Sequence, residues 1–448
     1  MSDELTGYRG EALEVLKRAS ARIGDIVKVA KDGKTYEGTL IPRAEYGDDK
    51  HILIKLGTGY NIGLRVSPAI AVTVIGHGAK PSFIRPPPPG QREGFPKVAI
   101  ISTGGTIASK VDYRTGAVEP ALTAEDLYSI IPELSEVARI DAHVLYSEFS
   151  ENLTPKHWKE TALTVANHIK SGAEGVVICH GTDTMGYTAA ALSFALQDLP
   201  VPVVLVGSQR SSDRPSSDAA TNLMGATTTA AKAPFAEVVL AMHEKSSDEF
   251  MVIHRGTKVR KCHTSRRDTF KSINSPPLAR FNFMNQQFEI LVEDYSKREA
   301  GEGPLVKPDF EEKVGLIKFH PGMSPEIIDW HNEQRYFGLV LEGTGLGHVS
   351  RYCYEPIRRA IKNGMVIGMT SQCLWGRVDM AVYYTGRDLL SFGVIPLEDT
   401  LPETALIKMM WAFGQTKDPS EVKKTMAKNI AHEVSLRRLD EGKYAEQD

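Results

Sequence analysis

Strands alternating with helices over most of the chain, preceded by a cluster of short strands, predict an α/β fold. Its expected form is two α/β/α units, each built on a parallel sheet, behind a small N-terminal β-barrel. Three observations carry this. Buried-strand runs alternate with helical stretches after Pro96, short β-type runs crowd the region before Lys80, and a proline run separates the two patterns.

Leu5, Leu13, Leu16, Ala19 and Ile23 recur near helical spacing and predict a short amphipathic helix. The period then changes. Asp25–Lys31, Thr35–Pro42, His51–Leu56, Ile62–Val66 and Ile70–Ile75 are β-type runs, separated by the turn residues Asp32-Gly33, Gly47-Asp48-Asp49, Gly57-Thr58-Gly59 and Ser67-Pro68. Strands this short and this closely spaced suggest an antiparallel barrel of SH3 or OB type within residues 1–80. Pro86-Pro87-Pro88-Pro89-Gly90 follows. It divides two different patterns, so residues 81–96 read as a semi-rigid spacer rather than an SH3 ligand.

Val98–Ser102, Gly175–Cys179, Val201–Val206 and Glu237–Met242 read as buried strands, with helices such as Thr154–Ser171 and Tyr187–Leu199 between them. This alternation predicts a parallel sheet covered on both faces, within residues 97–290. Residues 291–312 are charged and carry Gly301 and Gly303, which suggests a second linker. A further unit, 313–448, reads as strand Val314–Phe319, helix Pro325–Gln334, strand Phe337–Leu341, helix Tyr352–Asn363 and strand Met365–Met369. Helices at Leu401–Phe413 and Pro419–Glu433 close it.

The chain has 448 residues, 42% of them hydrophobic, with a formal net charge of −3. That balance does not advertise nucleic-acid or membrane binding. Cys179, Cys262, Cys353 and Cys373 lie far apart, without metal-ligand spacing, and read as reduced thiols of a cytosolic protein. No apolar stretch reaches the roughly 18 residues of a membrane helix. The acidic start Met1-Ser2-Asp3-Glu4 does not resemble a signal peptide.

Two turns hold the chemistry: Thr103-Gly104-Gly105-Thr106-Ile107-Ala108-Ser109 and His180-Gly181-Thr182-Asp183-Thr184-Met185. Each follows a buried strand, so both reach the carboxyl edge of one sheet, where open α/β folds bind ligands. Gly104, Gly105 and Gly181 allow close backbone approach and leave N–H groups free for an oxyanion. Hydroxyls placed there suit nucleophilic attack on a carbonyl. A threonine needs a base or a proton path, and spacing alone cannot choose a helper among 53 lysines and arginines.

Both turns resemble the signature motifs of the bacterial-type L-asparaginase/glutaminase family, and the resemblance runs from about Lys97 to Val434. It implies an asparaginase-like two-domain fold and assigns Thr106 as nucleophile, with Tyr113 assisting proton transfer. Thr182, Asp183 and Lys261 become a hydrogen-bonded triad, with Lys261 located by counting back from Thr269-Phe270-Lys271-Ser272. Lys258 is the alternative lysine. Ser150 would hold the substrate α-carboxylate and Glu151 its α-ammonium, beside Gly105 and Gly181. No metal and no cofactor is expected in this chain. His180 reads as a structural hydrogen-bonding residue, and Cys262 and His263 as scaffold. The cations Arg255, Lys258, Arg260, Lys261, Arg266, Arg267 and Lys271 read as paired or solvated before they read as an RNA contact.

About ninety residues precede the first motif. With the barrel, the proline spacer and the run from Gln209 to Asp218, they make the whole chain similar to the D subunits of archaeal glutamyl-tRNA(Gln) amidotransferases. That resemblance implies a glutaminase whose ammonia passes to an E subunit, which holds ATP and magnesium and aminates Glu-tRNA(Gln). It implies a homodimer within a heterotetramer of two D and two E subunits, with glutamine or asparagine as substrate and no membrane partner. The competing expectation is a free-standing type I asparaginase with an accessory barrel.

Overall fold

Alternation of buried and exposed residues, clear at Val27 and Val29 and again at Ile52 and Ile54, gives the first strands one apolar face. In this computed structural model the described residues are 5, 7–43, 48–56, 61–77, 94–105, 107, 109–111, 118–120, 127–128, 131–210, 217–299, 301 and 303–435. Most of the expected spacer, with its proline run, lies outside them.

Strands β1 (Ile26–Lys31), β2 (Lys34–Leu40), β3 (His51–Leu56), β4 (Asn61–Arg65) and β5 (Ala71–Gly76) form one antiparallel sheet in the order β4-β3-β2-β1-β5. Helix α1 (Gly10–Arg18) buries Ala12 and Leu16, one turn apart, in the core with Tyr8, Val27 and Ile52. The expected strand count is met. Among the described residues no ladder joins β4 to β5, so the sheet is not closed by hydrogen bonds.

The central sheet has eight strands. They are β6 (Lys97–Ser102), β7 (Arg139–Val144), β8 (Gly175–Cys179), β9 (Val203–Val206), β10 (Val238–His243) and β11 (Phe250–Arg255), then, after the separate hairpin β12 (Val259–Lys261) and β13 (Phe270–Ser272), β14 (Ala279–Asn282) and β15 (Gln287–Ile290). Their order is β15-β14-β11-β10-β9-β8-β6-β7. The pairs from β7 through β10 are parallel, and those from β10 through β15 are antiparallel. The four strands expected from the sequence, β6, β8, β9 and β10, are parallel, and the sheet continues into an antiparallel half that was not expected. A parallel return needs a crossover of about a dozen residues or more. Only residues 244–249 separate β10 from β11, too few for a helix, so β11 must run back beside it.

Helices α2 (Pro155–Lys170) and α3 (Met185–Ala195) cover one face, and α4 (Ala219–Lys232) covers the other. Helix α3 is apolar all round because it is buried on two sides. Met185, Ala189 and Leu192 pack on the central sheet, while Ala190, Ala191 and Phe194 pack with Trp411 and Met410 of the C-terminal unit.

That unit carries β16 (Val314–Lys318), β17 (Gly338–Gly343), β18 (Val366–Ser371) and β19 (Ile395–Pro396), parallel and in chain order. Helices α5 (Glu326–Glu333), α6 (Tyr354–Lys362), α7 (Tyr384–Phe392), α8 (Pro402–Gln415) and α9 (Pro419–Ala427) surround it. Helix α7 is an addition to the expected elements; only Gly386 and Leu389 of it are buried, which leaves little helical period to read. The stretch before β16 runs hydrogen-bonded along the central unit, with Leu196 paired to Val306 and Phe235 bridged to Lys297.

Candidate active site

The strand order of the central sheet reverses between β6 and β8, since β7 lies on one side of β6 and β8 on the other. Loops leaving neighbouring strands at such a point diverge and open a crevice. The two threonine turns leave these two strands. Thr103 ties their ends together, its N–H and its Oγ1 both donating to the Cys179 carbonyl at 3.0 and 2.9 Å.

Glycine is required where the loops cross. At Gly105, φ +77°, a Cβ would sit 3.0 Å from the Gly181 nitrogen, and one at Gly181 would sit 2.9 Å from Ser150 Oγ. Three loops therefore meet at backbone distance: the β6 turn, the β8 turn and residues 148–151 after β7. Thr184 Oγ1 donates to the Ser150 carbonyl at 2.6 Å and locks the third loop to the second. Ser150 is buried and Glu151 beside it is exposed, both in a single 3-10 turn. Gly105, Gly181, Ser150, Glu151, Thr182 and Asp183 are thus brought to one place. Thr106 and Tyr113 lie outside the described residues.

The lysine arrives from the β12–β13 hairpin. Lys261 Nζ donates to Thr182 Oγ1 at 2.9 Å and to Asp183 Oδ1 at 2.7 Å. Its side chain is 16% exposed and that of Asp183 is 70% exposed, so the ammonium sits between a protein wall and open solvent. Strand alternation sorts the neighbours. Val259, on the Lys261 side, is buried in the central core, while Lys258 and Arg260 pair with Asp399 and Glu403 of the C-terminal unit. Lys258 is thus held by Asp399 and not by Thr182 or Asp183.

An ammonium shared by a hydroxyl and a carboxylate can give a proton to one partner while its charge is held by the other. His180 has no such freedom. Its Nδ1 lies 2.6 Å from the Gly181 carbonyl, which can only accept, so Nδ1 carries the proton. Its Nε2 lies 2.9 Å from Thr188 Oγ1, which also receives the Trp158 indole N–H at 3.2 Å. Burial lowers the imidazole pKa to about 4, so the ring is a neutral structural post.

His263 Nδ1 accepts from the Ser265 and Arg266 amides at 3.0 and 3.1 Å, a turn-holding role. Among the described residues no three His, Cys, Asp or Glu side chains gather as a metal cluster. Each cation of the basic run has a carboxylate partner: Glu237 for Arg255, Asp399 for Lys258, Glu403 for Arg260, Asp183 for Lys261, Asp248 for Arg267, and Asp268 for Arg266 and Lys271. In the run after β9, buried Asp218 accepts from the Gln209 and Arg210 amides and from Asn222, while residues 211–216 lie outside the described set. Sequence reasoning missed Asp399, Glu403 and Asn274 behind the lysine strand. Glu403 and Lys408 in an otherwise apolar helix were the available signal for buried partners.

The fold and site define an asparaginase-type amide hydrolase. A family model described as asparaginase, N-terminal, matches residues 97–294, and one described as glutaminase/asparaginase C-terminal domain matches 313–426. The L-asparaginase of Thermococcus kodakarensis superposes with a TM-score of 0.66 at 34% identity, covering 76% of this chain and all of its own. L-asparaginase I of Vibrio cholerae does so at 0.67 and 30%, with the same coverage. A third model, the GatD N-terminal domain, matches residues 21–75. The D subunit of the glutamyl-tRNA(Gln) amidotransferase of Metallosphaera sedula is 50% identical over 434 residues, 97% of each chain. That of Methanopyrus kandleri is 50% identical over 444 residues, 97% of this chain and 96% of its own. The chain belongs to the family of glutamyl-tRNA(Gln) amidotransferase D subunits.

Proposed function

We propose that this chain is the glutaminase of a tRNA-dependent amidotransferase, hydrolysing the side-chain amide of glutamine, or of asparagine, in the cytosol and passing the ammonia to a partner. The observation that carries the reading is Lys261 bridging Thr182 and Asp183 at the switch point. The N-terminal β-domain ahead of the asparaginase body supports a role within a complex.

Thr106 Oγ attacks the amide carbon and its proton passes into the Thr182–Lys261–Asp183 relay, with Tyr113 assisting. The oxyanion is held by backbone N–H groups of the glycine turns. The relay returns the proton to the leaving nitrogen, the C–N bond breaks and ammonia departs. Water then cleaves the acyl-threonine ester, and the relay takes its proton and restores the Thr106 hydroxyl. Ser150 grips the α-carboxylate of the substrate and Glu151 its α-ammonium. The chain works as a homodimer with two E subunits, which hold ATP and magnesium and aminate Glu-tRNA(Gln).

Ammonia release from glutamine and from asparagine, with and without the E subunit and Glu-tRNA(Gln), tests this. Slow release alone and faster release in the complex is expected; efficient asparagine hydrolysis, unaided and unresponsive to the partner, would make the chain a free-standing asparaginase. Thr106→Ala should lower release by at least about 10³-fold with the fold intact. Native activity in that variant would overturn the assignment of the nucleophile.

A further inference from the structure

Lys258 is 1% exposed, one of the most deeply buried cations described in the chain. Its ammonium donates to Asp399 Oδ2 at 2.7 Å, and that carboxylate is itself 6% exposed. Burial pushes the lysine pKa down from its ordinary value and Asp399 opposes the shift. Burying a charge pair is costly, and a well-packed apolar pair is often as stable or more so. The pair therefore calls for a reason other than stability.

Its place in the fold supplies one. Asp399 and Glu403 stand before and at the start of α8, in the C-terminal unit, and they take hold of Lys258, immediately before β12, and of Arg260 within it. The opposite side of that strand presents Lys261 to Thr182 and Asp183. The grip is itself braced. Asp399 Oδ1 accepts from the Ser435 amide at 2.9 Å, and Asn274 donates to the Asp399 carbonyl at 3.1 Å and the Gly376 carbonyl at 3.0 Å. The Gly376 amide returns a bond to Asn274 Oδ1 at 2.8 Å, and Ser435 Oγ donates to the Asn274 carbonyl at 3.0 Å. Asn274 follows β13, the other strand of the lysine hairpin, and Ile273 donates to the Lys258 carbonyl at 2.7 Å. Both strands of the hairpin are thus pinned to the C-terminal unit at their base.

We propose that the Lys258–Asp399 pair, with Arg260–Glu403, is a positioning device by which the C-terminal unit sets the height and register of Lys261 over Thr182. Lys258 and Asp399 do not touch substrate; they act through Lys261. A buried ion pair can fix register where apolar contacts would permit sliding. Proton transfer is sensitive to such placement, since a shift of about 1 Å can cost about 10²-fold. The proposal rests on the reading of Lys261 as the residue that moves the proton.

The test is ammonia release by the full chain, comparing native, Lys258→Met/Asp399→Asn and Arg260→Met. Met fills the lysine's volume, and the Asp399→Asn change keeps an acceptor for the Ser435 amide. For the double variant we expect melting within about 4 °C of native and a kcat about tenfold lower. Its KM for glutamine should stay within about twofold, because Ser150 and Glu151 belong to another loop. For Arg260→Met, a partly exposed position, kcat should fall about threefold with the same unchanged KM. Native-like kcat in both variants, or kcat and KM deteriorating together with melting temperature, overturns the positioning role. Should the double variant not fold, Arg260→Met decides alone by the same split. Lys261→Ala separates this from the underlying reading: if it is as active as native, or native releases no ammonia, the reading fails. If Lys261→Ala is inactive while both positioning variants keep native kcat, only the positioning role falls.

Discussion

In the central sheet the strand order reverses between β6 and β8, whereas in the C-terminal sheet β16 to β19 lie side by side in chain order. Both sheets have helices on their two faces, and both send loops from their carboxyl ends. The loops of the first diverge around a crevice and leave Thr182, Asp183 and Lys261 facing it. At the second, the strand ends and the turns beside them are tied to one another. Lys318 Nζ donates to Glu342 at 2.8 Å, Gln372 Nε2 to the Glu342 carbonyl at 2.9 Å, and Ser371 Oγ to the Gly345 carbonyl at 2.7 Å. The same layering therefore yields a reactive edge only where topology opens it. The C-terminal unit contributes carboxylates that reach back, Asp399 and Glu403, rather than a site of its own.

The contrast breaks most visibly at a hydroxyl. Thr182→Val keeps the shape of the side chain and removes the acceptor for Lys261. Ammonia release should fall by about 10²–10⁴-fold, the range of a lost proton-transfer partner. Ser371→Ala, at the matching edge of the C-terminal sheet, should leave release within about twofold. Steady-state assays of the two purified variants make the comparison. Equal losses would mean that both edges serve the reaction.

The next lever lies in the core of the C-terminal unit. Lys408 and Glu433 are 1% and 0% exposed, with 2.6 Å between Nζ and Oε1. Glu433 also accepts from the Ile430 amide at 3.0 Å and the Ala431 amide at 2.7 Å. Lys408→Met leaves that carboxylate buried without its counter-charge. Such a loss costs about 3–5 kcal/mol. Denaturant titration should show that drop, while kcat per folded molecule stays near native. A stability change below about 1 kcal/mol would mean that solvent already reaches the pair.

What could be read from residues alone follows from what local patterns encode. β8 was legible because Gly175–Cys179 is buried on both faces and bounded by turn residues. Gly105 and Gly181 could be placed at a shared edge because each follows such a strand. The antiparallel half of the central sheet was not legible: direction depends on the length of the 244–249 connection, and no strand residue records it. Lys261 was reached through family resemblance, since its partners are 78 and 79 positions away in sequence. Asp399 escaped entirely, because a buried carboxylate 141 residues from its lysine leaves no periodic trace.

A further effect separates the units by acid. In the N-terminal α/β unit, burial lowers the pKa of His180 to about 4 and of His254 to about 3. Both are neutral in the fold and take up protons near pH 6.5 once unfolded. Between those values the unfolded chain binds more protons, so stability rises with pH across the window. The contribution is complete above about pH 6.5 and is lost progressively as pH falls towards 4, at up to about 1.4 kcal/mol per pH unit for each ring. The deepest charges of the C-terminal unit are held instead as a pair, Lys408 with Glu433. Amide hydrogen exchange between pH 7 and 5 should therefore show β8 and β11 losing protection before β17 and β18. Simultaneous loss, or earlier loss in β17, would place the acid-sensitive element outside these two histidines.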